Sequence, residues 1–188
     1  MRNLPVLALL VIIIASLYGC AAALMGGAGT AAIVAEDRRT LGTVTEDQGI
    51  ELKASSRISN KFKDPHINIT SYNRMALLTG EAPDAETKAE IGKIARAVEN
   101  VHGIYNEITL AGNSTLSARA TDSYLTSKVK ARFVDQQKFN PVHVKVVSEA
   151  NVVYLLGMVK RKEADDATEI TRTTSGVQKV VRLFEYLD

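Results

Sequence analysis

The sequence predicts an α+β protein: two tandem small α/β sandwiches, each ordered helix, strand, strand, helix, strand, with a three-stranded mixed sheet and helices on one face. Three observations predict it. A stretch occurs twice, Ile67 to Gly80 (INITSYNRMALLTG) and Val144 to Gly157 (VKVVSEANVVYLLG), with each apolar position shifted by 77 residues. Ile67 thus matches Val144, Ile69 matches Val146, Met75 matches Val152 and Leu78 matches Leu155. Within each copy, two runs of period-two alternation flank a polar break, at Ser71 to Arg74 or Glu149 to Asn151, which is the pattern of a β-hairpin. After each Leu-x-Gly comes a helical stretch, a tight break at Asn100 or Gly176, and a third strand (Val101 to Ile108; Val177 to Phe184). Asn and Gly are the residues that most readily take positive φ after a helix. The third strand is expected to lie beside the first.

The chain opens with a short positive segment, Met1-Arg2-Asn3, then an apolar run from Leu4 to Leu17 and Tyr18-Gly19-Cys20. A charged start, about 7–15 apolar residues and then small ones make a secretory signal. The single cysteine sits where that signal ends, and Leu17-Tyr18-Gly19-Cys20 resembles the lipobox of bacterial lipoproteins. That resemblance implies diacylglycerol on Cys20, and Ala21 after it implies export to the outer membrane. The alternative is an uncleaved anchor, because no charge occurs between Arg2 and Glu36, a span long enough to cross a bilayer. Gly26, Gly27 and Gly29 break that run as a helix and favour the lipid anchor. With Cys20 modified, no thiol remains for a disulfide or a thiolate metal site. Boundaries follow: signal 1–19, lipidated tether 20–45, first domain 46–112, second domain 113–188. Each domain is near the lower size limit for independent folding, so burying one against the other would stabilise both.

The next helix in each copy precedes the hairpin, where Ile50, Ala54 and Ile58 correspond to Leu125, Val129 and Phe133 on one apolar face. In the second copy this helix is expected from about Thr121 to Val134. Val-x-Leu-x-Gly, a helix and then Gly-Val-x-x-Val, matched by Val153, Leu155, Gly157, Gly176, Val177 and Val180, resembles the pattern of BON domains. The first copy follows it with Met75, Leu78, Gly80 and Ile104, and has Asn100 in place of the usual glycine. With the lipobox, the stretch Asp37 to Thr43 and Tyr105 to Ile108, the whole chain is similar to dual-BON outer-membrane lipoproteins. The resemblance implies a non-enzymatic, lipid-anchored protein on the periplasmic face of the outer membrane. It would bind anionic phospholipid of the phosphatidylglycerol kind through its second BON domain and maintain membrane integrity, with recruitment to division sites in some members.

Comparing the copies points to the same half. Tyr124 points away from the apolar helix face, and its counterpart is Gly49. With Lys128 on its side, Lys130 and Arg132 on the flanks, and Leu125 next to it, the ring suits a headgroup layer. An ordinary surface tyrosine packed on the neighbouring domain is the alternative. After the repeat's glycine, copy one continues Glu81-Ala82-Pro83-Asp84, a helix start. Copy two continues from Gly157 into Met158-Val159-Lys160-Arg161-Lys162, two apolar residues and three cations, expected as a membrane-facing loop. Residues 36–113 carry 10 basic and 12 acidic side chains, whereas 114–188 carry 12 and 9. The second copy is therefore the better partner for an anionic surface. The expected phospholipid-binding set is Tyr124, Leu125, Lys128, Arg132, Gly157, Met158, Val159, Lys160 and Arg161.

Catalysis is not expected. No Gly-rich phosphate loop, nucleophile elbow or carboxylate pair is legible, and Asp165-Asp166 sits amid helix charges. His66, His102 and His143 lie in separate segments without a second ligand at metal spacing, so no metal site is expected; no cofactor and no nucleic-acid partner is expected either. The competing function is an adaptor that docks an envelope or division-site protein through the same surface. Glycan binding ranks last, because the chain has no Trp and six Tyr.

Overall fold

The computed structural model describes residues 36–63 and 66–188, within which Arg38–Asp188 forms one compact unit. The expected signal, Cys20 and most of the tether lie outside the described residues. Each copy shows the helix, strand, strand, helix, strand order that the repeat predicts. In the first, α1 (Leu41–Lys61) leads into the hairpin β1 (Ile67–Tyr72) and β2 (Met75–Ala82). Then come α2 (Ala85–Arg96), β3 (Gly103–Asn106) and a two-residue β4 (Thr109–Leu110) that adds to β2. In the second, α3 (Leu116–Gln136), a 3-10 turn at Pro141–His143 and β5 (Lys145–Glu149) precede β6 (Val152–Val159), α4 (Arg161–Arg172) and β7 (Lys179–Tyr186).

Two boundaries differ from the sequence reading. The last five residues of the expected tether are already helical, because Thr40 caps α1 by accepting from the Thr43 N–H at 3.1 Å. The helix α3 begins five residues before Thr121, capped in the same way by Thr115.

The strand order also corrects an expectation: the third strand lies beside the second, in the order β1-β2-β3 and β5-β6-β7. The hairpins are antiparallel, whereas β2 with β3 and β6 with β7 are parallel. A strand-helix-strand crossover returns the chain parallel to the strand it left, and the free side of β2 or β6 is where it can dock. Asn100 and Gly176 take φ of +67° and +102° after the crossover helices, as the sequence implied.

Each hairpin turns on two consecutive residues with positive φ, Asn73 and Arg74 in copy one and Ala150 and Asn151 in copy two. Such a turn matches the twist of the flanking strands. The repeat's glycines serve a close approach of backbones. A Cβ at Gly80 would lie 1.9 Å from the His66 carbonyl oxygen, and one at Gly157 would lie 2.3 Å from that of His143.

Alternation along β6 explains the packing. Val153, Leu155 and Val159 face the helices, joining Leu125, Val129 and Phe133 of α3 and Ala164, Ala167 and Ile170 of α4 in one core. Tyr154 and Leu156 face the other way, where they meet Tyr72 and Leu77 of the first copy, with Tyr105, Met158, Val181 and Leu183 around them. The two sheets therefore pack face to face and the helices lie outside, giving four layers in the order helix, sheet, sheet, helix. Burial pushes the Tyr154 hydroxyl up to about 12, reinforced by the nearby charges of Glu107 and Glu149.

Candidate functional site

The side chains expected to touch lipid separate into three groups. Leu125, Gly157 and Val159 are buried, Leu125 and Val159 in the helix-sheet core, so none of the three presents a surface to a membrane. Met158 is half-buried between the sheets, and its carbonyl accepts from Arg38 Nη1 at 2.7 Å. The expected membrane-facing loop does not exist. The strand β6 runs through Val159 because β7 pairs with it to Tyr186, and Lys160 is already the N-cap of α4.

The second group is α3. Tyr124 is 68% exposed. Around it the outward side of the helix carries Leu116, Ala120, Ser123, Ser127, Lys130, Ala131 and Val134, all exposed, and no acidic side chain between Leu116 and Val134. The one acid in that stretch, Asp122, is turned inward and buried. Lys128 donates to the Ser175 carbonyl at 3.0 Å. Arg132 donates to the Ile170 carbonyl and the Thr174 hydroxyl, both at 2.7 Å, at the C-terminal end of α4. Arg132 thus closes a helix end, where a cation also suits the helix dipole.

The equivalent helix of the first copy treats its cations differently. Lys53 and Arg57 of α1 pair with Glu99, and Lys61 pairs with Glu90. In α3 the cations meet carbonyl and hydroxyl oxygens or, for Lys130, no partner among the described residues. The first copy's helix is neutralised by carboxylates; that of the second copy keeps its positive charge.

Lys160 and Arg161 form the third group. They sit at the N-terminal end of α4, whereas Lys128 and Arg132 reach its C-terminal end, and a helix of 12 residues is about 18 Å long. The structure does not bring the two basic stretches together. Arg161 lies over the Tyr186 ring at 4.9 Å, with Leu187 also exposed nearby in sequence. Lys162 pairs with Asp166.

Residues that sequence reasoning passed over hold the frame. Asp47, 2% exposed on α1, accepts from Ser71 Oγ at 2.6 Å, Arg74 N at 2.7 Å, Asn73 N at 2.9 Å and Arg39 Nη1 at 2.9 Å. Asp122 on α3 accepts from Ala150 N and Asn151 N, both at 3.0 Å. Each aspartate caps the turn of its own copy's hairpin, and each stands three residues before a matched core residue, Ile50 or Leu125. Arg38 forks onto Glu163 at 2.7 and 2.9 Å. The Arg38 hydrogen bond is the main reason the Glu163 carboxyl titrates at about 2, with burial opposing it and the Lys160 N–H and His143 adding to the pull. Arg38 and Arg39 fall within the stretch 20–45 expected as a tether, yet both are bonded to the fold. No helix among the described residues is long and apolar enough to cross a membrane.

The chain matches the BON domain over residues 46–112 and again over 121–188. It is 37% identical to the outer membrane lipoprotein DolP of Haemophilus influenzae, over 92% of this chain and 91% of that one. It is 29% identical to a 21 kDa hemolysin of Actinobacillus pleuropneumoniae, covering 80% and 79% of the two chains. Osmotically-inducible protein Y of Escherichia coli is 25% identical over 74% of this chain and 72% of its own. Two repeats folded alike, joined sheet to sheet and matched twice over, establish that the chain belongs to the BON-domain family and carries two copies of the domain.

Proposed function

We propose that this chain is a lipoprotein anchored through Cys20 to the periplasmic face of the outer membrane. Its second BON domain recognises anionic phospholipid there and so supports membrane integrity. The observation that carries this reading is the outward side of α3. From Leu116 to Val134 it carries no acid and is rich in small residues, with one exposed aromatic, Tyr124, and cations that no carboxylate pairs; the exposed Asp135 marks its C-terminal end. Small side chains let such a helix approach a headgroup layer closely, the tyrosine ring sits at that level, and ammonium groups meet phosphates. The contact set is Tyr124, Lys128 and Lys130, with Arg132 shaping the surface; Lys160 and Arg161 form a separate basic end. Similarity to an outer membrane lipoprotein supports the location.

Co-sedimentation with vesicles of zwitterionic lipid, with and without phosphatidylglycerol, tests it on a chain that begins at Glu36. Binding should need the anionic lipid and fall in Tyr124→Ala and in the Lys128→Ala/Lys130→Ala pair. It should fall less when Lys160, Arg161 and Lys162 are all changed to Ala. A folded chain that binds neither vesicle refutes recognition by α3 and makes a protein partner the occupant of that face.

A further inference from the structure

The seam between the two copies gathers residues that sequence spacing kept apart. His66, just before β1, has its Nδ1 at 2.7 Å from Glu81 Oε2 and 3.0 Å from Ser114 Oγ. The backbone N–H of Ser114 donates to the same Glu81 oxygen at 3.1 Å. Glu149, at the end of β5 in the second copy, comes to the same place and accepts from Asn68 Nδ2 at 2.9 Å. One donor atom from each of His66, Glu81 and Glu149 lies within 4.8 Å of the other two.

Charge makes this cluster unusual. Glu81 and Glu149 are 8% and 7% exposed, so two carboxylates have been taken out of water side by side. Glu81 is met by the His66 ring and by the Ser114 N–H. Glu149 has no ion-pair partner among the described residues; its hydrogen bond is to a neutral amide. The cation in the neighbourhood, Arg119, turns its Nε and Nη2 to Ser114 at 3.2 and 3.0 Å. A buried carboxylate without a counter-charge is costly, and one imidazole cannot balance two of them.

We propose that His66, Glu81 and Glu149 bind a divalent transition-metal ion of the zinc type across the seam between the two BON domains. An imidazole with two carboxylates is a zinc donor set, and the nitrogen disfavours calcium and magnesium, which take oxygen ligands. Metal-ligand distances near 2.0–2.2 Å place donors about 3.3 Å apart, so side-chain rotations of about an ångström complete the site. Asn68 and Ser114 already hydrogen-bond Glu149 and Glu81, the role outer partners play in metal sites. A cavity of about 420 Å³, lined by His66, Asn68, Arg119 and Glu149, adjoins the cluster and offers room for water as a further ligand. The ion would neutralise the two carboxylates and tie the first copy to the second.

The test is titration calorimetry of the full chain in detergent micelles, stripped of metal by chelation, with ZnCl2, CaCl2 and MgCl2 in turn. One Zn²⁺ per chain should bind in the micromolar range or tighter, with calcium and magnesium much weaker. Glu149→Gln and His66→Asn should each weaken zinc by about tenfold or more. A readout that needs no variant is Co²⁺ added to the unaltered chain. It should give weak visible bands without the strong near-ultraviolet thiolate band, and a paramagnetically shifted imidazole signal. Absence of zinc binding, zinc binding that survives both substitutions, or a Co²⁺ spectrum without the imidazole signal overturns the proposal. Because the readout is metal binding by the chain, failure here is distinguishable from failure of lipid recognition.

Discussion

Removing Asp47 tests whether the turns are held from the helices. In Asp47→Ala the N–H groups of Asn73 and Arg74 and the Ser71 hydroxyl all lose their acceptor, and Ser71 is fully buried. Arg39, stacked over the Tyr72 ring at 4.0 Å, loses its carboxylate as well. A hydrogen bond to a charged group contributes about 1.5–3 kcal/mol, and bonds converging on one carboxylate do not add fully. The expected cost is about 3–5 kcal/mol for Asp47→Ala. Asp122→Ala strips only the two turn N–H groups and should cost about 2–3 kcal/mol. The assay is urea unfolding at 25 °C, followed by circular dichroism and tyrosine fluorescence together. The sheets share a core, so both probes should report one transition. A cost for Asp47→Ala below about 1 kcal/mol, or a larger cost for Asp122→Ala, refutes the claim that these carboxylates carry the turns.

Ala150 sits at φ +50° in the second hairpin, so Ala150→Gly should stabilise the fold by about 0.5–1 kcal/mol, seen as a higher urea midpoint. Gly157→Ala drives a Cβ into the His143 carbonyl and should destabilise by more than about 3 kcal/mol or abolish folding, read from thermal melts. Glu163 is depressed from 4.5 to about 2, so its contribution is full above the unfolded value and is lost as pH falls from about 4.5 towards 2. Solvent screening limits that contribution to about 1–2 kcal/mol. Glu163→Gln should therefore lower stability at neutral pH and flatten its decline in that acid window. Tyr124→Ala should leave the unfolding free energy within about 0.5 kcal/mol of the parent while vesicle binding falls, because the ring is largely in water.

Much of the fold was legible because burial writes a period into the chain. Ile50, Ala54 and Ile58 recur at four-residue steps and are buried, as are their counterparts Leu125, Val129 and Phe133. The repeat of Leu-x-Gly marked the two places where strand and carbonyl touch. The inner face of each sheet was harder to see. Val152 to Val159 is apolar almost without interruption, which is the mark of a strand covered on both sides. The sequence reading instead assigned Met158 and Val159 to an exposed tip, since nothing local says that a second sheet lies opposite. Asp47 and Asp122 were legible in principle as matched acids in a repeat, but a carboxylate near a helix start suggests a solvated face until the turn it serves is seen. The grouping of His66 with Glu81 and Glu149 had no sequence signal, because it depends on how one copy docks on the other.

Packing sheet against sheet turns the two helical layers in opposite directions. Successive layers about 10 Å apart set the α1/α2 layer and the α3/α4 layer about 30 Å from each other. If α3 lies on a bilayer as proposed, α1 and its exposed Leu52 would face away from that bilayer. The protein would then be a two-sided spacer: a lipid surface and a protein partner could be held at once, each on its own copy, without competing for the same residues.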